Sequence, residues 1–220
     1  MMRSIKFLLL PFILLCSLMP AFAQHYAVTQ SEEEFDVAYI QYDEMTPITV
    51  SPKLQRIVPI TQAFTVDANG LKGQILYSLF TDTGTLDETR SDEAALWMCM
   101  CLLNATGYTL GEIQIEEFDP ADAKNEFNAD FGINVFCVAP PSIWAQGYLY
   151  MNIDFFGKAG QGLVMRTMLS NDARFFGATE QEDSFDWNAP FFALYNSFLF
   201  LEKDDAGNYI LPDYLTTEQE

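Results

Sequence analysis

The chain has 220 residues and a formal net charge of −20, with 31 acidic side chains, 11 basic side chains and one histidine. This length allows one or two domains, and the apolar half of the composition is enough for a sizeable core, which excludes an intrinsically disordered chain. Because the acidic excess repels phosphate backbones and anionic lipid headgroups, nucleic-acid binding is not expected.

The first 23 residues have the pattern of a secretory signal peptide. Arg3 and Lys6 precede an apolar stretch over residues 7–18, and a small-x-small triplet ends at Ala23, where we expect cleavage. The stretch is shorter than the roughly 20 residues that cross a bilayer, so no transmembrane segment is expected in the mature chain. We therefore expect a periplasmic or extracellular protein. The alternative is a lipoprotein acylated at Cys16.

The mature chain divides into three segments. Residues 24–34 are polar, carry three consecutive glutamates and are expected to form a flexible acidic arm. Residues 35–212 contain all the apolar patterns of the mature chain and are expected to form a single domain. Residues 213–220 are expected to be a frayed tail.

The first clear structural signal in the domain is a hairpin. Extended apolar runs at 60–66 and 71–80 flank a turn that contains Asn69 and Gly70, and this combination is typical of a β-hairpin. The three prolines between residues 35 and 59 favour extended connections over a helix in that region.

A helix is predicted next, with Ser91 as its cap and Gly107 beyond its end. Apolar side chains cover every face of residues 94–103, so this helix is expected to be buried at the centre of the core. Its methionines and cysteines are more typical of adaptable packing than of a metal site.

The second half of the domain alternates between strands and one further helix. An alternating run at 108–118 predicts a strand, and Asp119 followed by Pro120 begins a polar helix that ends before Gly132. The other extended runs are a strand at 133–139, a hairpin of 148–156 with 163–169, and a hairpin of 191–203 with 208–211. This order predicts an α+β fold: a mostly antiparallel sheet built from hairpins, one buried central helix and one outer polar helix.

Three cysteines remain after cleavage, so they cannot all pair within one chain. Cys99 and Cys101 point in different directions if residues 94–103 are helical, and they cannot bond to each other. Each is therefore an alternative partner for Cys137, and the other interpretation is that all three are buried thiols acting as small hydrophobic residues.

The residue types exclude several kinds of catalysis. The only histidine, His25, lies two residues after the expected cleavage site, so it is not expected to be a positioned general base or zinc ligand. The glycine-rich run at 157–162 lacks a Ser or Thr after Lys158 and precedes a strand, which argues against a phosphate loop.

A calcium loop is also disfavoured near the end of the domain. Glu202, Asp204, Gly207 and Asp213 have the spacing of such a loop, but Ala206 stands at a ligand position and the flanks read as strands. A plain turn is the better interpretation. No residue is therefore assigned to a catalytic, cofactor-binding or metal site, and no cofactor is expected.

The loop over residues 170–190 is the best candidate for a binding surface. It carries Phe175, Phe176, Phe185 and Trp187 among acidic residues, and this mixture suits a basic or cationic protein or envelope component. The alternative is that the same rings pack the loop onto the core.

The composition predicts a non-enzymatic binding domain or an envelope-associated structural domain. A carboxylate-based hydrolase of glycans is the alternative, because paired carboxylates are the one catalytic device in which this sequence is rich. The rings that would stack on a sugar are Trp144, Tyr148, Trp187 and Tyr195.

Overall fold

The structure is a computed structural model that describes residues 27–30, 36–56, 58–81, 114–140, 143–181 and 184–210. The strands in this part of the chain are β1 (Ala27–Gln30), β2 (Val37–Gln41), β3 (Met45–Pro47), β4 (Ile60–Ala68), β5 (Leu71–Thr81), β6 (Gln114–Glu117), β7 (Phe131–Val138), β8 (Tyr150–Lys158), β9 (Gly162–Ser170), β10 (Phe198–Phe200), β11 (Glu202–Lys203) and β12 (Tyr209–Ile210). The helices are α1 (Pro52–Gln55), α2 (Pro120–Phe127), α3 (Pro190–Ala193) and the 3-10 helix η1 (Ala173–Phe176).

Antiparallel sheets dominate the architecture. The main sheet has seven strands in the order β3-β4-β5-β9-β8-β7-β6, and a smaller sheet has the order β1-β2-β10. Strands β11 and β12 form a separate pair. The prediction of an α+β fold with mostly antiparallel sheets is confirmed at this level, because strands outnumber the short helices in the described residues.

The first predicted hairpin is confirmed as β4 and β5. Asn69 and Gly70 have φ angles of 55° and 79°, and Ala68 pairs with Leu71 across the turn. Two successive residues in the left-handed region give a turn whose twist matches that of the flanking strands. An Asn-Gly pair tolerates this geometry with little strain, so the local sequence is sufficient to place the turn.

The hairpin of β8 and β9 is also confirmed, but its turn is tighter than predicted. Lys158 pairs with Gly162, so only three residues turn the chain, and Gly157 belongs to β8. A Cβ atom at Gly157 would stand 2.2 Å from the Phe131 ring on the neighbouring strand. Glycine is needed there for close packing between strands.

Helix α2 begins where the sequence predicts and ends earlier than Gly132. The Asp119 carboxylate accepts a hydrogen bond from the Ala121 amide at 2.8 Å, and Pro120 is the first helical residue, as expected for an N-terminal cap. Asn128 ends the helix with a φ of 53°. Asparagine tolerates this left-handed conformation, so Gly132 is left to β7.

The predicted strand at 191–203 is wrong in its first part. Pro190 begins the one-turn helix α3, and the chain becomes extended only at β10. A single turn is too short to show helical periodicity, and its phenylalanines imitate a strand. The turn at 204–207 is confirmed, because the Gly207 amide donates to the Asp204 carbonyl at 2.9 Å between β11 and β12.

Several sequence predictions fall partly or wholly outside the described residues. Within the segment expected to be a flexible arm, residues 27–30 form β1, which pairs with β2. The predicted strand at 108–118 is described from Gln114 onward, as β6. The features that lie outside are residues 1–23, His25, Cys99, Cys101, the central helix at 94–103 and the tail at 213–220. Among the described helices, none has the length and hydropathy needed to cross a membrane.

Both faces of the main sheet are buried, and this explains why β8 and β9 show no alternation of polar and apolar residues. The front face carries Tyr77 and Phe156, which pack against α2 and the small sheet. The back face carries Leu76 and Ile153, which belong to the same core cluster as Leu54 of α1. Every described residue of β8 from Met151 onward is buried, as is typical of a strand covered on both sides.

Candidate functional site

A row of polar side chains crosses the front face of the main sheet. Strand register places Tyr77 opposite Arg166, Arg166 opposite Asp154, and Asp154 opposite Asn134. Asn134 in turn lies opposite Glu116 on the edge strand β6. Because directly paired residues project to the same face, the row runs from the centre of the sheet to its edge.

Arg166 and Asp154 form an ion pair that is fully buried, since both side chains are 0% exposed. The Arg166 Nε and Nη2 atoms donate to the Asp154 Oδ2 atom at 2.9 and 2.7 Å. The other carboxylate oxygen, Oδ1, accepts from Asn134 Nδ2 at 2.6 Å. Burying such a pair is costly unless the charges are matched by hydrogen bonds, and this pair is well matched.

The remaining donors of Arg166 tie the main sheet to the segment before β10. Its Nη1 atom donates to the Tyr195 carbonyl and lies 3.5 Å from Ser197 Oγ. Tyr77 donates its hydroxyl to the same Ser197 Oγ at 2.5 Å. Burial raises the pKa of the Tyr77 hydroxyl well above its ordinary value, so it stays a hydrogen-bond donor at physiological pH.

Four aromatic rings surround the guanidinium group of Arg166. Their centroids lie 5.5–5.9 Å from its central carbon, which is within the range of a cation–π contact, and the rings are those of Phe127, Phe156, Tyr195 and Phe198. The rings and the lack of exposure keep a dissolved substrate from the ion pair. The ion pair therefore has a structural role: it joins β8 and β9 to the segment before β10.

The row becomes partly accessible at the sheet edge, where two carboxyl groups have raised pKa values. Burial raises the pKa of Glu116, although Gln114 donates a hydrogen bond to it at 2.7 Å. Burial, reinforced by the charge of Asp122 one helical turn away, raises the pKa of Glu126 on α2 to about 7. The Oε2 atom of Glu126 is buried and makes no hydrogen bond in the described part of the chain. Glu126 is thus the described carboxyl group best able to exchange a proton at neutral pH.

The structure divides the four rings of the 170–190 loop into two pairs. Phe175 and Phe176 lie in the buried front cluster, so the expectation that they form part of an exposed surface is wrong. They follow Asp172, which caps η1, and the short helix turns both rings inward. Phe185 and Trp187 are only partly buried, with their centroids 6.1 Å apart. Only this second pair can touch a partner.

The loop that holds Phe185 and Trp187 is shaped by polar contacts. The Asp186 carboxylate accepts from the Asn188 amide at 3.0 Å, and an isolated bridge joins Ala178 to Phe185. The Trp187 ring packs against Phe192 of α3 with a centroid distance of 4.7 Å. The loop is therefore supported by packing against α3, and its acidic residues Glu180 and Asp186 are exposed.

The glycine-rich run and the calcium-like register have structural roles. Lys158 donates to the Asn128 carbonyl at 2.8 Å and to Glu202 at 3.1 Å. Asp204 accepts from the Ala206 and Asn208 amides at 2.9 and 2.8 Å, which is the hydrogen bonding of a turn. Within the residues that the structure describes, no group of three or more His, Cys, Asp or Glu side chains is placed to hold a metal ion.

The four rings considered for sugar stacking do not form one platform. Trp144 is buried in the back cluster with Tyr148 beside it. Tyr195 is buried in the front cluster next to Arg166, and Trp187 lies at the edge of that cluster. Cys137 is a buried free thiol on the back face, and burial raises its pKa to about 12, so it is unreactive at neutral pH.

Sequence reasoning missed the ion pair and Glu126. A usable signal was present, because Asp154 and Arg166 are isolated opposite charges in the two apolar runs of one predicted hairpin. No protein-family model matches the chain, and no curated protein has significant similarity to it.

Proposed function

We propose that the chain is an exported, acidic, non-enzymatic domain that binds a basic or cationic protein or an envelope component. The observation that carries this proposal is the pair of partly exposed rings, Phe185 and Trp187, on a supported loop with exposed acids at Glu180 and Asp186. Rings of this kind provide contact area and carboxylates steer a cationic partner, which is a common arrangement in binding surfaces.

The charge distribution supports a cationic partner. Many of the described basic side chains already lie within ion-pair distance of a carboxylate: Lys72, Lys124, Lys158, Arg166, Arg174 and Lys203. The formal charge of −20 consequently leaves a large excess of acids on the surface. A surface with this excess attracts basic segments and repels acidic ones over about a Debye length, roughly 8 Å at physiological salt.

Binding is tested with a fluorescently labelled lysine–leucine peptide and the mature protein, with a glutamate–leucine peptide of the same length as the acidic control. We expect the basic peptide to bind and the acidic peptide not to bind. We also expect Trp187→Ala to weaken the binding at least tenfold, because the ring supplies the central contact. Trp187 packs on Phe192, so the thermal unfolding of the variant is measured in parallel.

A photo-crosslinking amino acid at position 187 gives the matching experiment in the native envelope. The control carries the same group at Ile210, which is also exposed but lies on β12. A basic partner captured only from position 187 supports the proposal. Binding of the lysine–leucine peptide that survives Trp187→Ala, or equal capture from both positions, contradicts the assignment of this surface.

We also propose that the protein is exported and cleaved after Ala23, which leaves it in the periplasm or outside the cell. Cell fractionation and mass spectrometry of the mature N-terminus test this directly. A mature chain that begins at Gln24 supports the proposal. A lipid-modified Cys16 at the N-terminus supports the lipoprotein alternative instead.

We propose that residues 94–103 form the buried central helix that the sequence predicts. Apolar side chains occupy every face of this segment, and such a helix must be covered by protein on most sides. Four antiparallel pairings separate β5 from β6, so these two strands run parallel. Parallel strands of one sheet need a crossover connection, which is usually helical.

Hydrogen exchange tests the position of this helix. Amides at 94–103 should exchange as slowly as those of β8, since both would open only with the core. The predicted tail at 213–220 is expected to exchange fast and serves as the reference. Fast exchange at 94–103 in the intact protein would contradict a buried central helix.

The second candidate function is a carboxylate-based hydrolase that acts on a glycan, and one observation favours it. Glu126 has a pKa of about 7 and lies one helical turn from Asp122, so it can donate a proton near neutral pH. Hydrolysis of an envelope glycan that is lost in Glu126→Gln, with Glu117→Gln as the control, would favour this function over binding.

A further inference from the structure

A second pair of partly exposed rings lies on the front face, at the end of the main sheet where β7 finishes and β8 begins. Phe136 and Tyr150 stack with a centroid distance of 6.3 Å. Val138 lies directly opposite Tyr150 in the strand register and is 52% exposed. These three side chains form an apolar surface that is separate from Phe185 and Trp187 in the sequence.

Buried rings connect the two surfaces. Phe136 contacts Phe176 at 5.5 Å, and Phe176 contacts Phe191 at 5.8 Å. Phe191 and Phe192 lie 5.1 Å apart, and Phe192 contacts Trp187 at 4.7 Å. We name this continuous set the ring strip; its members are Tyr150, Phe136, Phe176, Phe191, Phe192, Trp187 and Phe185.

The ring strip sets an upper limit on the length of its occupant. Its successive centroids are 4.7–6.3 Å apart, so its exposed ends are separated by at most about 34 Å, the reach of roughly ten extended residues. A small cation would meet only one end. An extended polypeptide segment can place an apolar side chain at each end and leave its charged residues over the acidic loop.

Charge complementarity determines whether that segment is basic or acidic. Glu180 and Asp186 are exposed on the loop beside Trp187. The nearest described cation on η1, Arg174, is already paired with Asp172 at 2.6 Å. A basic segment gains from the exposed carboxylates, whereas an acidic segment would meet the net negative field of the protein.

From these observations we propose that the partner is a basic, extended polypeptide segment with two apolar anchors, one seated at Phe185 and Trp187 and the other at Val138 and Tyr150. This assignment rests on the proposed function and adds the second anchor site and the length of the ligand. Two linked contacts on one segment strengthen binding because the second contact forms at a high effective concentration.

The experiment uses two labelled lysine peptides of about ten residues, one with a leucine at each end and one with a single terminal leucine. Fluorescence anisotropy measures their affinities for the mature protein. The two-anchor peptide should bind at least fivefold more tightly than the one-anchor peptide. Val138→Lys should remove this advantage by placing a like charge at the second site. Val138 is an exposed residue, so the variant should fold.

Ile210→Lys is the matched control, because Ile210 is 54% exposed and receives the same change in charge. Ile210 lies on β12, which pairs with β11. Glu202 of β11 contacts Lys158, and Lys158 stands at the opposite end of β8 from Tyr150. The control should keep the fivefold advantage of the two-anchor peptide.

The outcomes separate the two proposals. If Trp187→Ala abolishes binding and Val138→Lys leaves the two-anchor advantage intact, the second anchor site is wrong and the proposed function survives. If neither variant changes the binding of either peptide, both proposals are wrong. Equal loss in Val138→Lys and Ile210→Lys shows a general charge effect and also overturns the second site.

Discussion

Two Arg–Asp ion pairs in the described part of the chain lie in opposite environments. Arg166 and Asp154 are fully buried between the sheet and the segment before β10, whereas Arg174 is 71% exposed where it pairs with Asp172 on η1. Both pairs have short contacts, yet their costs differ, because only the buried charges lose their hydration. The distance between the two charges therefore does not by itself determine how much an ion pair contributes to stability. The burial of the charges determines it.

The largest expected effect is the loss of the buried pair. Arg166→Ala leaves the Asp154 carboxylate buried without its partner, and we expect the free energy of unfolding to fall by about 3–5 kcal/mol. Arg174→Ala is the matched control and should lower the free energy of unfolding far less, because water already hydrates this exposed charge. Urea denaturation followed by circular dichroism measures both values. Similar losses in the two variants would contradict the contrast between the environments.

A double variant sharpens the same comparison. Replacing Arg166 by Met and Asp154 by Leu removes both charges and keeps much of the apolar volume. We expect this double variant to lose less stability than Arg166→Ala alone, because no uncompensated charge remains in the core. The single substitutions Arg166→Met and Asp154→Leu and the double variant form a mutant cycle, and additive losses would show that the two charges do not act as a pair.

A smaller loss of stability is expected when the Tyr77 hydroxyl group, which donates a hydrogen bond to Ser197, is removed. Tyr77→Phe removes the donor at 2.5 Å from Ser197 Oγ and should lower the free energy of unfolding by about 1–2 kcal/mol. Tyr209→Phe is the control, since Tyr209 donates to Asp36 in a partly exposed contact. No loss in Tyr77→Phe would mean that the Arg166 contact is enough to hold Ser197.

Glu126 allows a test that depends on pH. Its pKa is raised from 4.5 to about 7 by burial and by Asp122, so the folded state favours the protonated form. The stability that this form provides is present at low pH and is lost as the pH rises through about 7. Because the side chain is only partly buried, we expect a loss of about 1 kcal/mol.

Glu126→Gln should remove this pH dependence. The variant should be more stable than the wild type at pH 8, and the difference should shrink toward pH 4.5. Glu117→Gln, which changes an exposed carboxylate of β6, should leave the pH profile of stability unchanged. Stability curves between pH 4 and 9 make the comparison. A wild-type profile that does not fall between pH 5 and 8 would argue against a buried Glu126 carboxyl group.

The smallest expected effect concerns Glu202, whose carboxylate lies within ion-pair distance of Lys158 and Lys124. Hydrogen bonds from Lys158, Asn128 and Lys124 lower the pKa of Glu202 to about 2. The stability from this carboxylate is present above its ordinary pKa of 4.5 and is lost as the pH falls through about 2. Glu202→Gln should cost less than about 1 kcal/mol at pH 7, and less still in high salt. A loss of stability in Glu202→Gln as large as that in Arg166→Ala would contradict this prediction.

Sequence reasoning succeeded where a few neighbouring residues are sufficient. Asn69 and Gly70 specify a hairpin turn, and Asp119 with Pro120 specifies the start of α2, because these residues carry their own backbone preferences. It failed for α3, where Pro190 begins a helix of one turn and the following phenylalanines imitate a strand. It also failed for Phe175 and Phe176, whose burial depends on distant strands.

The candidate sites show the same division. The composition of the 170–190 loop indicated rings among acids, and Trp187 is accessible, but only the folded chain shows that Phe136 and Tyr150 lie at the other end of the same strip of rings. The pKa of Glu126 likewise depends on its burial, which no local pattern in α2 reveals.

The amino-acid sequence by itself determined the net charge, the turns, the helix start at Asp119 and the antiparallel hairpins, because these depend on composition or on residues close together along the chain. Only the tertiary structure decided which charges are buried. Arg166 and Arg174 have the same chemistry and each pairs with an aspartate, but distant rings cover the first and water surrounds the second. Burial depends on contacts between residues far apart in the chain, and the cost of burying a charge follows from those contacts.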